Sequence, residues 1–123
     1  MKEEKNTILV IDDSNTALLL MEYALNDAGY QTRMSSCVKD AVSYLEKSCP
    51  AMVLLDLSMP EISGYDFLTM RSELHLENTP IIVVSAYDSE ESIKSALQLG
   101  AIDFISKPIH IDTLIEKIRF YLK

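Results

Sequence analysis

The chain has 123 residues, nearly half of them hydrophobic, and a formal net charge of −8. That length suits one domain able to bury a real core, and that charge disfavours direct nucleic-acid binding or adhesion to anionic membranes. No apolar run approaches the roughly 20 residues of a membrane span, so no membrane insertion is expected. Residues 1–6 (Met-Lys-Glu-Glu-Lys-Asn) lack the apolar segment of a secretion signal, and a cytoplasmic location is expected. Cys37 and Cys49 belong to no metal-spaced cluster and are read as reduced thiols.

Taken in order, the sequence alternates short apolar runs with amphipathic stretches. Strands are predicted near 7–11, 30–34, 51–56, 80–85 and 101–105, and helices near 15–28, 37–48, 64–75, 89–99 and 110–122. The first run, Thr7 to Ile11, is β-branched and ends on Asp12-Asp13. Ser14 or Asn15 is placed to cap the helix that follows, in which Ala17, Leu18, Met21, Leu25 and Ala28 share a face. Gly29 closes that helix, and a weaker, more polar strand follows. Val38, Ala41, Val42 and Leu45 face inward from the second helix, which Cys49-Pro50 is expected to break.

The central run, Ala51 to Leu55, is apolar throughout and ends on a single carboxylate, Asp56. Such a run reads as a strand buried on both faces of a parallel sheet. Phe67, Leu68 and Met70 mark the third helix, and Ile81 to Val84 a strand ending on Ser85. Asp88 is expected to cap the fourth helix, whose inner face is assigned to Ile93, Ala96, Leu97 and Leu99 before Gly100 stops it. Ala101 to Ile105 forms the last strand, Ser106-Lys107-Pro108 follows, and Ile111, Leu114, Ile115, Ile118 and Leu122 line the final helix. Five βα units with right-handed crossovers imply one α/β domain over 1–123, a three-layer doubly wound fold around a parallel sheet.

Parallel strands share one carboxyl edge, which would gather Asp12, Asp13, Asp56, Ser85 and Lys107. Clustered carboxylates need a compensating cation, and an oxygen-only set suits Mg²⁺. A carboxylate nucleophile, a metal and a fixed ammonium together fit phosphoryl transfer to an aspartate.

Four segments carry a family resemblance: Val10-Ile11-Asp12-Asp13-Ser14, Leu54 to Gly64, Pro80 to Ala86, and Gly100 to Pro108. Together they resemble the receiver domain of two-component response regulators (CheY-like), over essentially the whole chain. The resemblance implies a flavodoxin-like fold with strand order 2-1-3-4-5 and Asp56 as phosphoacceptor. It implies Mg²⁺ held by Asp13, Asp56 and the backbone carbonyl of Ser58, with Asp12 acting through water. Ser85 and Phe104 would form the switch pair, and Lys107-Pro108 would be a cis peptide.

A sensor histidine kinase or phosphotransfer protein would be the donor, and a downstream target protein or output domain the receiver of the signal. The face made by the fourth helix, fifth strand and fifth helix would change its partner affinity. Ser58 and Tyr87 stand where the family tunes phosphate lifetime. Ile102, Thr113, Glu116 and Lys117 depart from the residues of the dimer-forming DNA-binding subfamily. The expected role is a signalling phosphoacceptor, not a metabolic enzyme, though one that takes part in its own phosphorylation and dephosphorylation. Three alternatives stand beside this role. A degenerate receiver would bind partners without phosphorylation. An aspartyl-phosphate hydrolase of the haloacid dehalogenase type would want an Asp where Ser58 stands. A flavin carrier would meet repulsion from Asp12-Asp13.

Overall fold

The structure, a computed structural model, describes residues 2–57 and 63–122. Ten elements alternate: β1 (Lys2–Ile11), α1 (Asn15–Asp27), β2 (Gln31–Ser35), α2 (Val38–Leu45), β3 (Ser48–Leu55), α3 (Gly64–Thr69), β4 (Ile81–Ser85), α4 (Glu90–Gln98), β5 (Asp103–Ser106) and α5 (Ile111–Tyr121). All strand pairs are parallel, and the sheet order is β2-β1-β3-β4-β5. This is the flavodoxin-like doubly wound fold, with order 2-1-3-4-5 as the family resemblance implies. Among the described residues no helix is long and apolar enough to cross a membrane.

Alternation along the strands sorts the core into two layers. Leu9, Ile11, Val53, Leu55, Ile81 and Val83 face α2, α3 and α4, where Val38, Ala41, Phe67, Leu68 and Ala96 complete the packing. Ile8, Val10, Met52, Leu54, Ile82 and Val84 face the other way, onto Leu18, Met21 and Leu25 of α1 and Leu114 and Ile118 of α5. The central strands are therefore apolar on both faces, which is why they appear in the sequence as unbroken runs.

Several element ends differ from the sequence-based boundaries, each for a physical reason. Tyr30 belongs to the exit of α1, not to β2: its N–H bonds to Leu25 O while Gly29 N–H bonds to Asn26 O, with Gly29 at φ 99°. The same double closure ends α4, where Ala101 N–H reaches Ala96 O and Gly100, at φ 115°, reaches Leu97 O, so β5 begins only at Asp103. α3 keeps six helical residues and then tightens into turns, with Met70 N–H on Phe67 O and His75 N–H on Ser72 O.

β1 and β3 both start earlier than their apolar runs. Lys2, Glu3 and Glu4 pair with Ser48, Cys49 and Pro50, and a register shift separates this stretch from the ladder that resumes at Ile8. Pro50 thus lies inside a strand instead of breaking a helix. β4 first pairs with β3 at Val53, so at Pro50 the strand is bonded on one side and a missing N–H is tolerated. The Tyr44 hydroxyl meets the Glu4 carboxylate at this end; burial, reinforced by that carboxylate, pushes the phenol's pKa up.

One cap and two core assignments also change. Ser14 caps α1, accepting from Ala17 N–H at 3.2 Å, whereas α4 is capped by Ser89 and not Asp88. Leu97, assigned inward, is 44% exposed, and Ile111 is 38% exposed; Ala96 alone is buried in α4.

Candidate functional site

Each side chain of the site is delivered by the end of a strand. Asp12 and Asp13 follow β1, Asp56 follows β3, Ser85 is the last residue of β4, and Lys107 follows β5. Backbone bonds fix these ends to one another. Asp12 N–H donates to Ser35 O at 3.0 Å, Asp56 N–H to Ile11 O at 2.9 Å, and Lys107 N–H to Ser85 O at 3.0 Å. The Lys107-Pro108 peptide is cis.

Asp12, Asp13 and Asp56 each offer a carboxylate oxygen, and these oxygens lie within 4.8 Å of one another. Asp12 is 1% exposed and Asp56 6%, while Asp13 is open to solvent. Both oxygens of Asp12 are engaged: Oδ1 accepts from Ser14 N–H at 2.9 Å and Oδ2 from Lys107 Nζ at 2.7 Å. Lys107 Nζ lies 3.6 Å from Asp56 Oδ2, so the ammonium bridges the two buried acids. Three carboxylates against one ammonium leave the cluster two negative charges in excess, a strong field for a hard divalent cation. The donor set is all oxygen, which is compatible with a divalent-cation site.

A cavity of about 220 Å³ opens at this edge between Asp13, Asp56, Ser85, Ala86, Tyr87 and Lys107. Ser85 is fully buried, and its hydroxyl accepts from Tyr87 N–H at 3.1 Å. The Tyr87 side chain stands at the rim, 58% exposed. Phe104 is not brought to the cavity: it pairs with Val83, two residues back from Ser85, and packs half-buried against the layer under α4. Ser58 lies outside the described residues.

Two contributors were invisible to sequence reasoning as site residues. A Cβ on Gly64 would stand 2.4 Å from the Asp56 carbonyl oxygen and 2.7 Å from Leu57 Cα, so only glycine lets the start of α3 close against the backbone of Asp56. Gly64 N–H also donates to Leu57 O at 3.1 Å. Asp103, beside Phe104, binds β5 to α5: its carboxylate accepts from Lys117 Nζ and the Tyr121 hydroxyl, both at 2.9 Å, and from Phe104 N–H at 2.7 Å. Burial raises its pKa, but these three donors outweigh burial and hold it below the ordinary carboxylate value. An Asp before an aromatic residue at a strand start was the available signal, and it names no partner by itself.

Comparison with known proteins agrees with this geometry. Residues 8–119 match the family model for the response regulator receiver domain. The chain is 32% identical to sporulation initiation phosphotransferase F of Bacillus subtilis, over 99% of this chain and 96% of that protein. It is 34% identical to regulatory protein AtoC of Escherichia coli, over 89% of this chain but 23% of that longer protein. Among solved structures, a CheY-like response regulator receiver domain protein from Methanospirillum hungatei superposes with a TM-score of 0.85 at 28% identity, covering 95% of this chain and 93% of that one. A family match spanning nearly the whole fold, with the acids gathered where that fold places its ligands, gives one assignment: the chain belongs to the response regulator receiver domains.

Proposed function

We propose that the domain is a phosphoaccepting signal receiver: Asp56 takes a phosphoryl group from a phosphohistidine of a sensor kinase or phosphotransfer protein. The observation that carries the reading is the Asp12–Lys107–Asp56 bridge beside the exposed Asp13 at a cavity on the sheet's carboxyl edge. An Asp56 carboxylate oxygen attacks phosphorus, the P–O bond forms as the P–N bond breaks, and the imidazole leaves. Mg²⁺, held by Asp13, Asp56 and the Ser58 carbonyl with Asp12 acting through water, would neutralise charge on the phosphoryl oxygens. Lys107, 3.6 Å from Asp56 Oδ2, supplies a second cation, and the Ser85 hydroxyl, which now accepts from Tyr87 N–H, has its own proton to donate to a phosphoryl oxygen.

Recruiting Ser85 would draw the end of β4 toward Asp56 and open space for Phe104 to turn inward. The face of α4, β5 and α5 would then shift between two populations with different affinity for a downstream target or output domain. The domain is a switch and not a metabolic enzyme, working in the cytoplasm where a kinase can reach it. That the Bacillus subtilis relative is named a phosphotransferase supports the transfer reading over a receiver that binds without phosphorylation. Incubation with acetyl phosphate and Mg²⁺ followed by intact-mass measurement tests it. The expected gain is one phosphate, absent in Asp56→Asn; an unmodified wild-type chain would overturn the reading.

A further inference from the structure

At the end of the sheet away from Asp56, a cavity of about 440 Å³ opens where the turns after α3, the exit of α4 and the end of α5 meet the starts of β4 and β5. Its volume falls within the range of about 300–1,000 Å³ common for small-molecule sites. Pro80, Ala101 and Ile102 give it an apolar wall, and Ile102 is 44% exposed. Arg71, Glu77 and Tyr121 bring charge and a hydroxyl to the same space. Arg71 is held in place by the exit of α4. Its Nε donates to Leu99 O at 3.3 Å, and a Cβ on Gly100 would stand 2.2 Å from that nitrogen, so the guanidinium lies against the glycine's backbone. The bond serves a carbonyl that the helix leaves open, and both terminal nitrogens of Arg71 have no hydrogen bond or ion pair among the described residues. Glu77 is exposed and has no ion pair there either, so the cavity holds a guanidinium and a carboxylate that are not paired with each other.

We propose that this cavity binds a free α-amino acid with an apolar side chain. The fork of Arg71 suits a carboxylate in two parallel bonds, and Glu77 suits an ammonium. Tyr121 donates its proton to Asp103 at 2.9 Å, which leaves its oxygen to accept from the same ammonium. The wall of Pro80, Ala101 and Ile102 would cover the side chain and gain from its burial. A simple anion fits less well, because Glu77 lines the same space and the chain carries a net charge of −8. A simple cation would meet Arg71. A zwitterion answers both charges and adds none. The cavity shares no lining residue with the one at Asp56, so the proposal does not depend on phosphorylation.

The test uses the full chain, uniformly ¹⁵N-labelled and unphosphorylated, so that it reads this site apart from the chemistry of Asp56. Leucine is the probe. Isocaproate, which lacks its ammonium, and isoamylamine, which lacks its carboxylate, are the controls at matched ionic strength. Leucine should shift amide resonances saturably and chiefly within 77–79 and 99–103, and each control should bind at least about tenfold more weakly. Glu77→Gln, a change at an exposed position whose melting temperature confirms folding, should bring leucine down to about the affinity of isocaproate and leave isocaproate unchanged. Isocaproate binding as tightly as leucine would mean a site for anions only and would overturn the proposal. So would isoamylamine binding as tightly as leucine, shifts centred outside these residues, no saturable shift at all, or a Glu77→Gln chain that binds leucine like wild type.

Discussion

Gly64→Ala is the sharpest probe of how Asp56 is held. The added Cβ would meet the Asp56 carbonyl oxygen at 2.4 Å, where ordinary contact begins near 3.4 Å, so the two must separate by about 1 Å. Neither partner yields easily. Asp56 N–H is bonded to Ile11 O, Leu57 is buried, and Gly64 N–H holds Leu57 O. Overpacking of this kind costs about 1–3 kcal/mol. For a domain of this size each kcal/mol lowers the melting temperature by roughly 3–5 °C, so a drop between about 3 and 15 °C is expected. Because the displaced atoms belong to the backbone of Asp56, the proposed phosphoacceptor, the rate of modification by acetyl phosphate should fall as well. Thermal unfolding followed by circular dichroism, paired with timed intact-mass measurement, reads both effects. A melting temperature within 1 °C or so of wild type would refute the close approach on which the reasoning rests.

Three further outcomes follow from the site and its surroundings. Mg²⁺ at about a hundred times its dissociation constant should stabilise the wild-type domain by roughly 2.7 kcal/mol in thermal unfolding, and chelation should reverse this. Asp13→Asn should lose most of that gain, and an equal Mg²⁺ response in the variant would exclude Asp13 from the cation site. Asp103→Asn should destabilise the domain at neutral pH by about 0.5–1 kcal/mol, a modest figure because the Lys117 end of the pair is partly solvated. Since the folded pKa of Asp103 is lowered from 3.8, its contribution is present above that value and disappears as pH falls through the folded pKa. Denaturant midpoints of the two proteins should therefore converge only below pH 3.8, and a gap unchanged down to that region and beyond would contradict the assignment. Tyr87→Ala should hasten loss of phosphate from Asp56, because the ring at the cavity rim would no longer shield the phosphoryl group from water. Decay of the phosphorylated species by mass spectrometry measures this, and an unchanged half-life would remove Tyr87 from that role.

What could be foreseen and what could not divides along the range of the interactions involved. Strand cores and their terminal acids were legible because a strand buried on both faces must be apolar, and the first polar residue after it marks where the chain leaves the sheet: Ile11 gives way to Asp12, and Leu55 to Asp56. The β1 extension was not, since Lys2 to Glu4 join the sheet by backbone pairing with Ser48 to Pro50, and hydropathy carries no trace of that. Helix exits at Tyr30 and Ala101 look like strand starts because both are small steps past a glycine, yet their N–H groups still serve the preceding helix. Leu97 was misplaced because α4 buries one residue, Ala96, and so narrow a contact leaves neighbouring apolar side chains in solvent. The same economy bears on the face itself. α4 has one fully buried residue, Ala96, and lies next to a strand whose Asp103 is tied to α5 rather than to α4. If phosphorylation moves anything, so lightly buried a helix offers little resistance to a small displacement of Ser85 and Phe104.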